Sequence, residues 1–182
     1  YAASKLGAIV SPVPVQYSSH ELRKIAATLD ATAMITIERL RDVKLAQEAR
    51  AALPGLRTLV FGSDLRLDTR PGNRRCSRGT EGANAILTIC WTSGTTGTPK
   101  GVPRSHNMWL ATGRQTVEAG SYTPEDVLLN PFPLVNMAAL GGFLFPAAIL
   151  GSAIVLHHPL DPPLFLRQMQ DERVTFTIAP PA

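Results

Sequence analysis

Short β-branched runs alternate along the chain with stretches whose apolar residues fall three and four apart, the periods of strand and amphipathic helix. Residues 7–10 read as a strand ending at Pro12 and Pro14. Ser18 or Ser19 then caps a helix, with Ser18 and Glu21 at capping-box spacing and Leu22, Ile25, Ala26 and Leu29 on one face. Strand returns over residues 33–37, a second helix is expected over 38–53 and closed by Pro54-Gly55, and 56–61 read as strand. Beyond a long, charged, glycine-rich stretch at 62–84, the pattern predicts strands at 86–91, 127–129, 152–156 and 174–178. Helices are expected at 105–119, 138–148 and 162–172.

Strands separated by helices indicate crossover connections, hence an α/β fold with a mostly parallel, helix-covered sheet. With 182 residues, 45% of them hydrophobic, the chain can bury one substantial core. It is expected to be one domain or a large part of one, with an internal boundary within 62–84. It starts at Tyr1 and stops where a strand hands over to a new element, so it reads as a piece of a longer protein. No signal peptide is visible, and a cytoplasmic location is expected. The most apolar stretch, 137–150, is interrupted by Gly141, Gly142 and Pro146, which suits a buried helix and not a membrane span. The net charge of +4 comes from 14 arginines and four lysines. Five of the arginines, Arg66, Arg70, Arg74, Arg75 and Arg78, crowd one turn-rich segment with Asp64 and Asp68 and no interleaved aromatics, which argues for a solvated loop and against nucleic-acid binding. Cys76 and Cys90 have no zinc spacing, and no metal ligands are expected.

The chemistry concentrates in Thr92-Ser93-Gly94-Thr95-Thr96-Gly97-Thr98-Pro99-Lys100-Gly101, directly after a hydrophobic strand. Glycines let successive N–H groups turn toward one centre, hydroxyls add donors, and Lys100 adds a mobile positive charge, a combination suited to polyphosphate. The common nucleotide loop ends in Gly-Lys-Ser/Thr, whereas here Pro99 precedes the lysine and Gly101 follows it. Every position of the run fits the signature of the adenylate-forming superfamily, which the chain resembles over essentially its whole length. That superfamily includes acyl-CoA synthetases, peptide-synthetase adenylation domains and firefly-type luciferases.

The resemblance implies part of a large N-terminal domain of an ATP-dependent carboxylic acid ligase. Such an enzyme joins a carboxylate to ATP, releases pyrophosphate and passes the acyl group to coenzyme A, or alternatively to a carrier protein. A non-catalytic nucleotide-binding or interaction fragment is the reading from a different class. By resemblance Ser93, Gly94, Thr95, Thr96, Gly97 and Lys100 hold the β- and γ-phosphates, with Lys100 and Thr95 closest to catalysis. Thr92 either joins them or satisfies backbone at the strand end. Mg2+ and coenzyme A are implied through parts largely outside this chain.

Ser105-His106-Asn107 is similar to the superfamily's Ser/Thr-His-x-Asn continuation, with Ser105 a helix cap and His106 either a substrate contact or a structural residue. Arg104 is expected to be solvated. Where relatives carry Pro-Leu-Phe-His-x-x-Gly, this chain has Pro133-Leu134-Val135-Asn136-Met137-Ala138-Ala139. Asn136 hydrogen-bonds but does not titrate, so it either positions the acid substrate or caps a helix. Met137 either lines the acyl site or packs in the core. The apolar surroundings imply an acid with an apolar body. Motifs for adenine, ribose and the C-terminal catalytic lysine are missing, and Glu81, Glu118, Glu125 and Asp126 do not replace them. The isolated chain is expected to be inactive and prone to association through exposed edges.

Overall fold

The computed structural model describes residues 2–66, 82–92 and 99–178. They divide into two units, one of residues 15–66 with Pro99 and the other of residues 2–14, 82–92 and 100–178. The boundary expected within 62–84 falls mainly outside the described residues.

In the first unit α2 (Ser19–Leu29) starts at a complete capping box: Glu21 N–H donates to Ser18 Oγ, and Ser18 N–H donates to Glu21 Oε2 at 2.7 Å. It ends on Asp30 in the left-handed conformation. β1 (Ala33–Ile37) and β2 (Arg57–Phe61) pair in parallel through a crossover that contains α3 (Leu45–Ala52). The helix is shorter than the 38–53 pattern predicts. Leu40 and Val43 exchange backbone hydrogen bonds across a turn with Arg41 at positive φ, which removes those residues from the helix. What remains turns Ala46, Ala49 and Ala52 inward, and their small side chains let the helix lie close on the strands.

The second unit opens with α1 (Ala2–Lys5), for which no sequence signal was apparent. Residues 7–10 do not make a strand of their own. Val10 forms a single parallel bridge to Thr88, and Pro12 and Pro14 lack the N–H groups that would extend it. β3 (Ile86–Thr92) pairs antiparallel with β4 (Lys100–Ser105), a strand the sequence pattern did not reveal. Gly101 and Pro103 weaken its strand signal, and Pro103 is tolerated because β4 pairs with β3 alone among the described residues. α4 (His106–Gly120) follows at once, its first turn capped by Ser105 Oγ, which accepts from Met108 N–H at 3.2 Å.

β5 (Val127–Asn130) is the centre of a three-stranded parallel sheet, with β6 (Ala153–Leu156) on one side and β7 (Phe176–Thr177) on the other. The first crossover holds α5 (Met137–Ala139), a π-helical turn (Leu140–Leu144) and α6 (Phe145–Leu150), where one helix over 138–148 was expected. The second holds α7 (Pro162–Asp171), capped by Asp161. Three of the four described ladders are parallel, so the α/β, mostly parallel, helix-covered reading holds, with β3–β4 as the antiparallel exception. Among the described residues no helix is long and apolar enough to cross a membrane.

Tyr122, Leu128, Phe143 and Ala147 form the core beside this sheet, with Phe176 against Tyr122 at 4.5 Å between ring centres. Burial, helped by neighbouring Asp126, pushes the Tyr122 phenol up to about 12. Asp126 is a structural clasp. One of its carboxylate oxygens accepts from Thr175 Oγ1 at 2.6 Å and the other from Thr123 N–H at 2.6 Å, tying the turn before β5 to the approach of β7. Those bonds, the Thr175 hydroxyl first, hold its carboxyl below the usual carboxylate range.

Two outcomes are expected. A Cβ on Gly113 would stand 2.8 Å from Ile149 Cδ1 and 3.1 Å from Phe145 Cβ, so Gly113→Val should force α4 away from α6 and cost about 1–3 kcal/mol in denaturant unfolding. The Asp126 pKa is depressed on folding, so its stabilising share is complete above the unfolded value of about 4 and is lost as pH falls through the lower folded value. Melting temperature followed through that acid range should drop less steeply in Asp126→Asn than in the unmodified protein.

Candidate functional site

The β3–β4 hairpin is the root of the glycine-threonine loop. Its register sets Thr92 opposite Lys100, Cys90 opposite Val102 and Thr88 opposite Arg104, which puts all six side chains on one face. Trp109 of α4 fills the space behind that face. It is fully buried, its Nε1–H donates to Thr88 Oγ1 at 2.8 Å, and its ring stacks on Phe145 at 5.2 Å with an interplanar angle of 3°. The opposite face is closed by Trp91, whose Nε1–H donates to Ser11 Oγ at 2.8 Å, while Ser11 Oγ donates to the Ile89 carbonyl. Gly101 is required there, because a Cβ would lie 2.9 Å from Ile89 Cγ2 and 3.2 Å from the Trp91 ring.

Thr92 and Lys100 are therefore paired strand ends, and both are exposed. Ser93, Gly94, Thr95, Thr96 and Gly97 lie outside the described residues. The stem brings the two ends of their loop to within about 5 Å, the spacing of an antiparallel pair. Lys100 is thus a strand residue aligned with Thr92, not a residue of an irregular loop.

The second predicted cluster follows the carboxyl end of β5. Buried Asn130 folds the chain off the strand, donating from Nδ2 to the Phe132 carbonyl and accepting from Phe132 N–H at its Oδ1. Asn136 N–H donates to the Pro133 carbonyl, and Asn136 Oδ1 accepts from Ala138 N–H at 2.7 Å. Asn136 is thus the cap of α5. Met137 is exposed, with its Sδ 3.2 Å from Arg104 Nη2. The π-helical turn that follows is held open in part by Thr116, whose hydroxyl donates to the Gly141 carbonyl at 3.1 Å. Such turns recur beside functional sites.

Arg104, expected in solvent, is instead half-buried. Its guanidinium carbon lies 5.3 Å from the centre of the Trp109 ring, and its Nε is buried without an acceptor among the described residues. The structure brings Arg104 and Met137 together at this contact, whereas Asn136 caps α5 and His106 stands exposed at the first position of α4. A groove of about 470 Å³ lined by Thr112, Thr116, Tyr122 and Phe176 sits at the later half of α4, and none of the predicted site residues lines it. Sequence reasoning missed Arg104 and the Thr88–Trp109 pair. The alternation of Lys100, Val102 and Arg104 along a strand would have found Arg104 once β4 was recognised.

Trp109→Phe keeps an aromatic ring over Phe145 and removes the indole donor of the buried Thr88 hydroxyl, leaving the weak Cys90 thiol. A loss of about 1–3 kcal/mol in urea unfolding is expected, and a further Thr88→Val change should recover part of it.

The AMP-binding enzyme family model matches residues 1–182. An indoleacetate–CoA ligase of Aromatoleum aromaticum is 26% identical over 189 residues, covering 100% of this chain and 37% of the relative. A long-chain-fatty-acid–CoA ligase of Mycobacterium tuberculosis is 28% identical over 183 residues, covering 100% of this chain and 36% of the relative. The chain spans a little over a third of the length of these relatives. The structure of O-succinylbenzoate coenzyme A synthetase from Bacillus subtilis, in complex with AMP, superposes with a TM-score of 0.81 at 21% identity, covering 98% of this chain and 44% of that one. With the signature run rooted on an antiparallel stem inside a helix-covered parallel fold, and the family model matching from end to end, this chain belongs to the AMP-binding enzyme family.

Proposed function

We propose that this chain is the phosphate-gripping part of an ATP-dependent carboxylic acid ligase that forms an acyl-adenylate and transfers the acyl group to coenzyme A. The observation that carries the reading is the complete Thr92 to Gly101 signature mounted on a stem that pairs Thr92 with Lys100. In the reaction a carboxylate oxygen bonds to the α-phosphorus of ATP, and the bond from that phosphorus to the bridging oxygen of the β-phosphate breaks. Pyrophosphate leaves with the electron pair. The obstacle is repulsion between anions, so donors fixed around the β- and γ-phosphates stabilise the leaving group.

Ser93, Thr95, Thr96 and the backbone of Gly94 and Gly97 supply those donors, and Lys100 adds its ammonium from the base of the loop. Mg2+ accompanies ATP as the counter-ion of its phosphates. Asn136 and Met137 belong to the acid side, and His106 borders it. An acid with an apolar body suits exposed Met137 and the neighbouring Val135. The indoleacetate and long-chain-fatty-acid ligases among the relatives favour the same choice.

ATP–pyrophosphate exchange in the full-length protein tests the reading. Lys100→Ala should slow exchange about 100-fold, the usual scale for losing one preorganised donor to developing charge. Gly94→Val or Gly97→Val should slow it further by blocking the loop's backbone. Unchanged exchange in both kinds of variant would remove the loop from the mechanism.

A further inference from the structure

We propose that Arg104 is a specificity-determining residue that receives a second carboxylate, carried by the acid substrate at the end remote from the reacting one. The inference rests on the ligase reading above and adds a substrate class to it. It starts from a cation whose contacts do not match its charge. Among the described residues Arg104 Nη2 reaches the Met137 thioether, a weak acceptor, and the guanidinium lies against the Trp109 ring, which offers a π face and no lone pair. Its Nε is buried with no acceptor among the described residues. Buried N–H groups are rarely left in that state, and a bound anion would supply an acceptor there.

The neighbours narrow what that acceptor is. Met137 offers a thioether and Trp109 a π face, so neither supplies a strong acceptor. The Arg104 guanidinium carries donors alone, which calls for an oxyanion. The planar fork of arginine fits a carboxylate through two parallel bonds. Exposed Met137, in contact with Arg104, is unbranched and polarizable and can move aside.

Strand geometry separates this group from the reacting carboxylate. Lys100 and Arg104 lie on the same face of β4, four residues apart, about 13 Å between their Cα atoms at the usual rise per residue. Lys100 marks the phosphate end. The carboxylate that attacks the α-phosphorus must stay there, with one oxygen free as nucleophile, and a bidentate bond to Arg104 would occupy both. The anion at Arg104 is therefore the other end of a dicarboxylic acid whose apolar body spans the interval.

The test uses the full-length protein and pyrophosphate exchange with three acids of equal chain length: a dicarboxylic acid, its half-ester and the matching monocarboxylic acid. The unmodified protein should favour the dicarboxylic acid over both others. Arg104→Met should lower kcat/KM for the dicarboxylic acid about 10- to 100-fold, mainly through KM, and leave the monocarboxylic acid and the KM for ATP unchanged. Arg104→Lys, which keeps charge and stem but not the fork, should fall between. An equal loss for all three acids, or a raised KM for ATP, would make Arg104 a structural or nucleotide residue and overturn the proposal. The half-ester comparison needs no substitution, so it decides even where Arg104→Met fails to fold: equal use of half-ester and diacid overturns the assignment. Exchange with monocarboxylic acids alone sinks the second carboxylate and leaves the ligase reading standing, whereas no exchange with any acid sinks both.

Discussion

The second unit is organised around the indole of Trp109. Its N–H finds Thr88 in the middle of β3, one face of the ring stacks on Phe145 at the start of α6, and Arg104 of β4 lies against the ring system. A fully buried indole must satisfy its N–H, and Thr88 Oγ1 does so here with Cys90 Sγ beside it at 3.8 Å. One side chain thereby sets the hairpin, the long helix after it and the helix of the next crossover in register. The hairpin carries the two ends of the glycine-threonine loop, so the position of Thr92 and Lys100 depends on a contact made four residues along the strand.

The same unit shows how polar side chains that look like ligands can be spent on backbone. Asn130, Asn136, Asp126 and Asp161 each accept from a nearby N–H and end or begin an element. That use is local and follows from their short side chains, which compete for the orphan donors of helix starts and turns. For Asn136 it commits one lone pair of the amide oxygen to the start of α5. His157 is a further case. It is buried, its Nε2 accepts from Asp161 N–H and its Nδ1 pairs with Gln168 Oε1 at 2.6 Å, so this histidine latches β6 to α7.

Local signals were legible wherever the physics was local. The Ser18–Glu21 capping box, β1 at residues 33–37, the Ser105 cap and the strands that alternate with helices follow from short-range patterning. The helix expected at 38–53 lost its first turns to the Leu40–Val43 pairing, and the strand expected at 7–10 shrank to one bridge. β4 was illegible because Gly101 and Pro103 carry no strand preference. It exists because Gly101 alone fits under Trp91 and Ile89, and because β3 offers a ladder.

The order of residues from Thr92 to Gly101, with its hydroxyls, glycines and single lysine, pointed by itself to the family of this chain and to the anion chemistry proposed for it, since both readings rest on functional groups carried by consecutive residues. The pairing of Thr92 with Lys100, the turning of Arg104 inward over Trp109 and its meeting with Met137, thirty-three residues later, were decided only by the tertiary structure. Contacts between distant segments depend on which faces are buried together, and a sequence pattern of period two or three and a half names the faces without naming their partners.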